Sequence, residues 1–258
     1  MASNKHLKQT PEERAEFLRA RRRGFSGPLM FVVVIVAVIF VMSVFLRVSD
    51  VQVEGNVHYT DEEIIRAFEI EEGDNLFFFD RIAAAARAYS KLPYIKEVAI
   101  ERRLPNKVLI TVEESTALAY LELGDEEWTM DDTCKILGKA AEGELSQLVP
   151  IVGIDPGTLL IGETLTTSDA NSATVKYLSD VLWQLEKRGL APETNQVDFT
   201  DPDSPSFSYG GRFTVVLGRN NALEHKFGMF VSVLEQLKPG DVGTIDVSDG
   251  TTAHFRPD

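Results

Sequence analysis

PYIKEVAIERRLPNKVLITVEE, residues 93–114, is the stretch that decides the fold. Residues 95–102 alternate apolar with polar, Leu104-Pro105-Asn106 turns the chain, and residues 107–114 alternate back. A period of two marks a strand with one buried face, so the stretch predicts a β-hairpin. Upstream, Leu92-Pro93-Tyr94 stops an alanine-rich helix over residues 81–90, with Asp80 at its N-cap position. Leu76, Phe77, Phe78 and Phe79 form a dense apolar patch behind the breaker Gly73-Asp74-Asn75. Such a run between two helices is read as core rather than contact surface. Earlier still, Thr60-Asp61-Glu62-Glu63 is a capping box ahead of a short helix whose apolar face is Ile64, Ile65 and Phe68. Val51 and Val53 alternate with polar residues in a first strand that Gly55-Asn56 ends. Strand, helix, helix, strand, strand over residues 48–114 describes a small α+β unit, both helices on one sheet face.

Outward from that unit, residues 29–46 read LMFVVVIVAVIFVMSVFL, 18 residues with no charge. At about 1.5 Å per residue this helix is roughly 27 Å long, close to a hydrocarbon core of about 30 Å. One transmembrane helix is the expectation. A buried soluble helix rarely runs so far without a charge or breaker. A cleaved signal peptide has a shorter apolar region and a small-x-small site, which the exit Leu46-Arg47-Val48-Ser49-Asp50 lacks. The run therefore reads as an uncleaved signal anchor.

Charge sets the orientation. Residues 1–28 hold seven Lys/Arg against three Glu, and Arg21-Arg22-Arg23 sit next to the span. The positive-inside bias keeps this basic tail in the cytoplasm and exports residues 47–258. The whole chain carries −14; the tail is near +4 and the exported part near −18. An acidic exported body repels polyanions, so nucleic acid is not an expected ligand. The tail reads as a topology signal on an anionic leaflet rather than as a DNA-binding arm. Cys134 is the single cysteine, so no intramolecular disulfide forms, and it reads as a buried small hydrophobe.

Residues 115–258 read as a β-rich domain with two helices. Strands are expected at 117–123, in a hairpin over 127–132 and 134–137, and along the run 148–153. A helix follows over 169–188, with Val175, Leu178, Val181, Leu182 and Leu185 at helical spacing. Strands near 196–200, 207–209 and 213–217 lead to a helix over 222–237, closed by Lys238-Pro239-Gly240. Two last strands, 244–247 and 251–255, flank the turn pair Asp249-Gly250.

A strand V-x-V-x-G-N just outside one anchor, then GDNLFFFD and the hairpin quoted above, resembles a POTRA domain. With the basic tail, the single span and the second domain (FTVVLG, a lysine-bearing helix, then IDVSDG), the chain resembles the FtsQ/DivIB family of bacterial division proteins. POTRA units also precede β-barrels in outer-membrane assembly and secretion proteins, and a polypeptide-binding module of an export or assembly system is the alternative. The division resemblance implies a bitopic scaffold at the septum, without cofactor, that binds small bitopic coiled-coil proteins of the FtsB/DivIC and FtsL kinds and acts on septal peptidoglycan synthesis indirectly.

No catalytic constellation appears. His6, His58, His225 and His254 are scattered, and zinc-binding, nucleophile-elbow and P-loop patterns are absent. Asp131-Asp132 reads as solvated surface in so acidic a chain. Binding is the better expectation, because a terminal edge strand offers unpaired backbone groups to another chain. Thr251, Thr252, Ala253, His254 and Phe255 are the candidate edge, to which the resemblance also points. Phe255 reads either as an aromatic anchor for the partner or as a closure of the core.

Overall fold

The computed structural model describes residues 28–41, 46–141 and 143–258. The expected tail lies outside them apart from Pro28. Residues 28–41 form helix α1, exposed on all sides, and residues 42–45 of the expected span lie outside the described residues. Among the described residues, no helix is long and apolar enough to cross a membrane.

Three strands follow the expected order. β1 (Asp50–Glu54), β2 (Ile95–Arg103) and β3 (Lys107–Glu114) form a sheet in the order β1-β3-β2. Helices α2 (Asp61–Phe68) and α3 (Arg81–Lys91) lie between β1 and β2 in the chain and pack on each other. The capping box is made in both directions: the Glu63 N–H donates to Thr60 Oγ1, and the Thr60 N–H donates to Glu63 Oε2 at 2.9 Å. The V-x-V-x-G-N signature has a steric cause. Gly55 sits at φ +90°, where a Cβ would come 2.2 Å from Val112 O, so only glycine lets the chain leave β1 so close to β3. Glu114, the last residue of the quoted stretch, accepts from the N–H groups of Val57, His58 and Tyr59 and fixes the loop that follows.

The chain packs as two compact units. The first comprises the described residues up to 52 with 70–80 and 100–110. In it Val48, Ile70, Leu76, Val108 and Ile110 are buried. Its backbone is laced around residues 46–49: Leu76 N–H donates to Leu46 O at 2.8 Å, Val48 N–H to Asp74 O at 2.8 Å, and Ser49 N–H to Asn106 O at 2.9 Å. The apolar patch splits here. Leu76 is fully buried, but Phe78 is 80% exposed. Arg102 holds the patch outside the core, donating to Phe77 O and Phe79 O and lying over both rings.

The second unit comprises residues 53–69, 81–99 and 111–258. Its sheet adds nine strands: β4 (Ala119–Leu123), β5 (Glu126–Met130), β6 (Ile136–Lys139), β7 (Val149–Val152), β8 (Thr194–Asp198), β9 (Ser206–Tyr209), β10 (Phe213–Val216), β11 (Gly243–Asp246) and β12 (His254–Pro257). They are ordered β12-β11-β10-β9-β8-β7-β4-β5-β6. Two long connections carry helices because parallel neighbours need crossovers. β7 pairs parallel with β8 through α4 (Ser172–Lys187), and β10 pairs parallel with β11 through α5 (Leu223–Leu234). Phe207 stacks on Phe227 at 5.5 Å, and Phe230 meets Phe207 and Tyr209 edge-on, which seats α5 against β9.

Both helices start later than the periodicity predicts. α4 begins after Asn171, whose side chain caps Ala173, because Ala170 is left-handed and Asp169 instead binds the Thr167 hydroxyl. α5 begins after Ala222, also left-handed. The strand expected at 196–200 is β8, two residues earlier, because Asp198 turns back to accept from the Thr200 N–H.

Asp131 and Asp132 are not solvated surface; they are 1% and 8% exposed. Asp131 is a turn hub. Its Oδ1 accepts from Thr133 N–H, the Thr133 hydroxyl and Lys135 N–H, and its Oδ2 accepts from the Ser115 hydroxyl. A buried carboxylate so satisfied is structural, and its cluster ends β5 early and delays β6 to Ile136.

Candidate binding edge

The two margins of the nine-stranded sheet differ. At the β6 margin the start of the strand is covered: Ile136 N–H donates to Glu163 O at 2.9 Å, Gly162 N–H donates to Ile136 O at 2.7 Å, and Lys135 bridges Thr164. Among the described residues no strand pairs with the outer side of β12. This is the open margin.

The expected edge lies partly on it. His254 and Phe255 belong to β12, whereas Thr251, Thr252 and Ala253 precede the strand. The displacement has a local cause. Asp249 accepts from the Thr251 N–H at 2.7 Å, the Thr252 N–H at 2.9 Å and the Thr252 hydroxyl at 2.6 Å. Asp249-Gly250 is therefore not a two-residue hairpin turn but the start of a longer capped loop. Thr251 and Thr252 spend their donors inside that loop. The Thr252 hydroxyl and the backbone N–H groups hold the Asp249 carboxyl well below the ordinary range.

β12 runs antiparallel to β11, with Phe255 opposite Ile245 and Pro257 opposite Gly243. Asp258 N–H donates to Val242 O at 3.1 Å, so Gly243 and Pro257 form a non-hydrogen-bonded pair. Paired types alternate along an antiparallel ladder. His254 and Arg256 therefore bond inward to β11, and the Phe255 N–H and C=O point off the free margin. Pro257 offers a carbonyl there but no N–H. The Phe255 ring is half-buried and meets Phe213 edge-on at 6.2 Å. Its ring packs against the core, as the second of the two readings of this side chain expects, while its backbone faces outward.

Sequence reasoning missed the supports of this edge. Gly243 lets β12 approach: a Cβ there would lie 2.1 Å from Arg256 O. Asp246 accepts from the Ser248 hydroxyl at 2.7 Å and pairs with Arg256 at 3.2 Å, and the hydroxyl and the guanidinium both lower its carboxyl's pKa. Lys226 is fully buried on α5. Its ammonium donates to Leu217 O, Arg219 O and Asn221 Oδ1 at 2.7–2.8 Å, and burial lowers its pKa. It ties down the β10–α5 loop, and its Cε lies 3.4 Å from where a Gly250 Cβ would stand. The D-x-S and D-G-T-T spacings were a visible signal for the two aspartate turns; nothing in the sequence separates Lys226 from an exposed helical lysine.

Cys134 is buried, its Sγ directed at Val175 O, and burial pushes the thiol above its ordinary value. Among the described residues, no three His, Cys, Asp or Glu side chains are grouped to hold a metal ion. A cleft lined by His58, Tyr94 and Glu114 carries an acid already committed to three backbone donors.

Comparison with known proteins matches this architecture. The family described as "POTRA domain, FtsQ-type" matches residues 46–115. The chain is 26% identical over 232 residues to the cell division protein DivIB of Clostridium botulinum, covering 89% of each. It is 30% identical over 107 residues to the DivIB of Bacillus subtilis, across 42% of this chain and 41% of that one. To the cell division protein FtsQ of Corynebacterium glutamicum it is 29% identical over 131 residues, across 49% and 57%. Through its FtsQ-type POTRA segment and across most of its length, the chain is similar to the FtsQ/DivIB cell-division proteins.

Proposed function

We propose that this protein is a non-catalytic scaffold of septum formation, held in the cytoplasmic membrane by residues 29–46 with its N-terminus in the cytoplasm. Residues 48–114 form its POTRA domain and residues 115–258 its β domain, both outside the cytoplasm. The names of the relatives support the division role. The anchor reading is supported by α1, where twelve large apolar side chains from Leu29 to Val41 are all exposed. A helix apolar on every side has no stable place in water and suits lipid.

The partner-binding site in this reading is the β12 margin. A short FtsB/DivIC-like protein, itself associated with an FtsL-like one, adds a strand along β12, bonding to the Phe255 backbone, with residues 251–253 beside it in the capped loop. The single observation that supports this choice is the asymmetry of the sheet: residues 162–165 cover the start of the β6 margin, and among the described residues no strand covers any of the β12 margin.

The test is a pull-down from detergent-solubilised host membranes with the full chain and with a truncation ending at Gly250. Short bitopic coiled-coil proteins that accompany the first and vanish with the second support the site. Their persistence places the contact elsewhere. Capture of unrelated exported polypeptides by both would favour a general polypeptide-binding module instead.

A further inference from the structure

We propose that the first compact unit rests directly on the lipid surface, inserting Phe78 and Leu104 into the headgroup–acyl boundary of the outer leaflet. The inference rests on the anchor reading of residues 29–46 and adds a second, peripheral contact with the same bilayer. Phe78 is 80% exposed and Leu104 68%, an unusual position for two large apolar side chains in so small a unit.

Their place in the chain identifies what covers them. Leu46 is the last residue of the apolar stretch, and its carbonyl accepts from Leu76 N–H at 2.8 Å, while Arg47 bridges Asn75. Phe78 follows Leu76 by two residues, so its backbone lies within about 7 Å of that pairing. The headgroup region of one leaflet is roughly 5–8 Å deep. On the other side of the emerging chain, Ser49 N–H donates to Asn106 O and Asn106 Nδ2 donates to Ser49 Oγ at 2.7 Å. That ties the β2–β3 turn, with Leu104 on it, to the same exit point. The two side chains flank the place where the polypeptide leaves the span.

The patch is also pre-shaped. Arg102 donates to Phe77 O and Phe79 O and lies 5.7 and 5.1 Å from their ring centres. With its two neighbours held, Phe78 is presented outward at little further cost in conformational freedom. Arg47, next to Leu46, and Arg103, next to Leu104 and paired with Glu101 at 2.8 Å, are exposed, and Arg47 suits a lipid phosphate. Aromatic and leucine side chains over basic ones are what an interfacial, non-spanning contact requires.

The test uses the full chain in vesicles of phosphatidylethanolamine and phosphatidylglycerol. Single Phe78→Cys, Leu104→Cys and Val33→Cys variants carry an environment-sensitive fluorophore; native Cys134 is buried and does not compete. The expected result is that labels at 78 and 104 lose emission to lipids spin-labelled near the headgroup and resist aqueous iodide, while the label at 33 is quenched by a deep acyl-chain spin label. Quenching by iodide at 78 or 104, with 33 still deep in the bilayer, overturns the docking and leaves the anchor standing. A label at 33 that iodide reaches overturns the anchor and the docking together.

Discussion

Lys226 shows how a single side chain can be indispensable without being reactive. Its ammonium has three donors, and three oxygens receive them. Lys226→Met keeps the packing volume but leaves those oxygens unpaired, and a loss of about 3 kcal/mol in urea unfolding is expected. Asp249 predicts a pH dependence. Its folded pKa is depressed, so it binds fewer protons folded than unfolded, and its contribution is complete above an unfolded value of about 3.9. That contribution fades as pH falls from there through the lower folded value. Asp249→Asn is therefore expected to be less stable than the native chain at pH 7, with the gap closing as pH drops below about 4; acid titrations of unfolding midpoints measure it. A gap that widens in acid contradicts the assignment. At Gly243 any side chain meets Arg256 O, so Gly243→Val should detach β12, seen as fast amide exchange at His254 and Arg256, with the rest of the sheet protected.

At the scale of elements, Thr60→Ala removes one half of the capping box and should cost about 1 kcal/mol, read in thermal unfolding. The contrast between elements explains what could be read beforehand. The unit from β1 to β3 was legible because its boundaries carry local marks: Gly55-Asn56 ends β1, Thr60 with Glu63 starts α2, and Leu104-Pro105-Asn106 turns β2 into β3. The β12 region was legible only in outline. Its strand lies three residues later than alternation suggests because Asp249 captures Thr251 and Thr252, a competition between side chain and ladder that periodicity does not register. Asp131 is a similar case. Its burial depends on Ser115, sixteen residues away in the chain, and long-range satisfaction of that kind leaves no local pattern. The split of residues 76–79 between core and surface depends on Arg102, more than twenty residues away.

For the molecule as a whole, the charge and hydropathy asymmetry predicts that the full chain stays with membranes through an alkaline carbonate wash and that external protease leaves only a short basic fragment protected. Release by carbonate would remove the anchor reading. The outward N–H and C=O of Phe255 are a single set of groups, and one added strand occupies them at a time. Two copies pairing edge to edge through β12 would use the same backbone groups at Phe255 that the proposed partner strand takes. Self-association and partner capture are then mutually exclusive, so raising the concentration of this protein alone should titrate itself out of complexes rather than drive more of them.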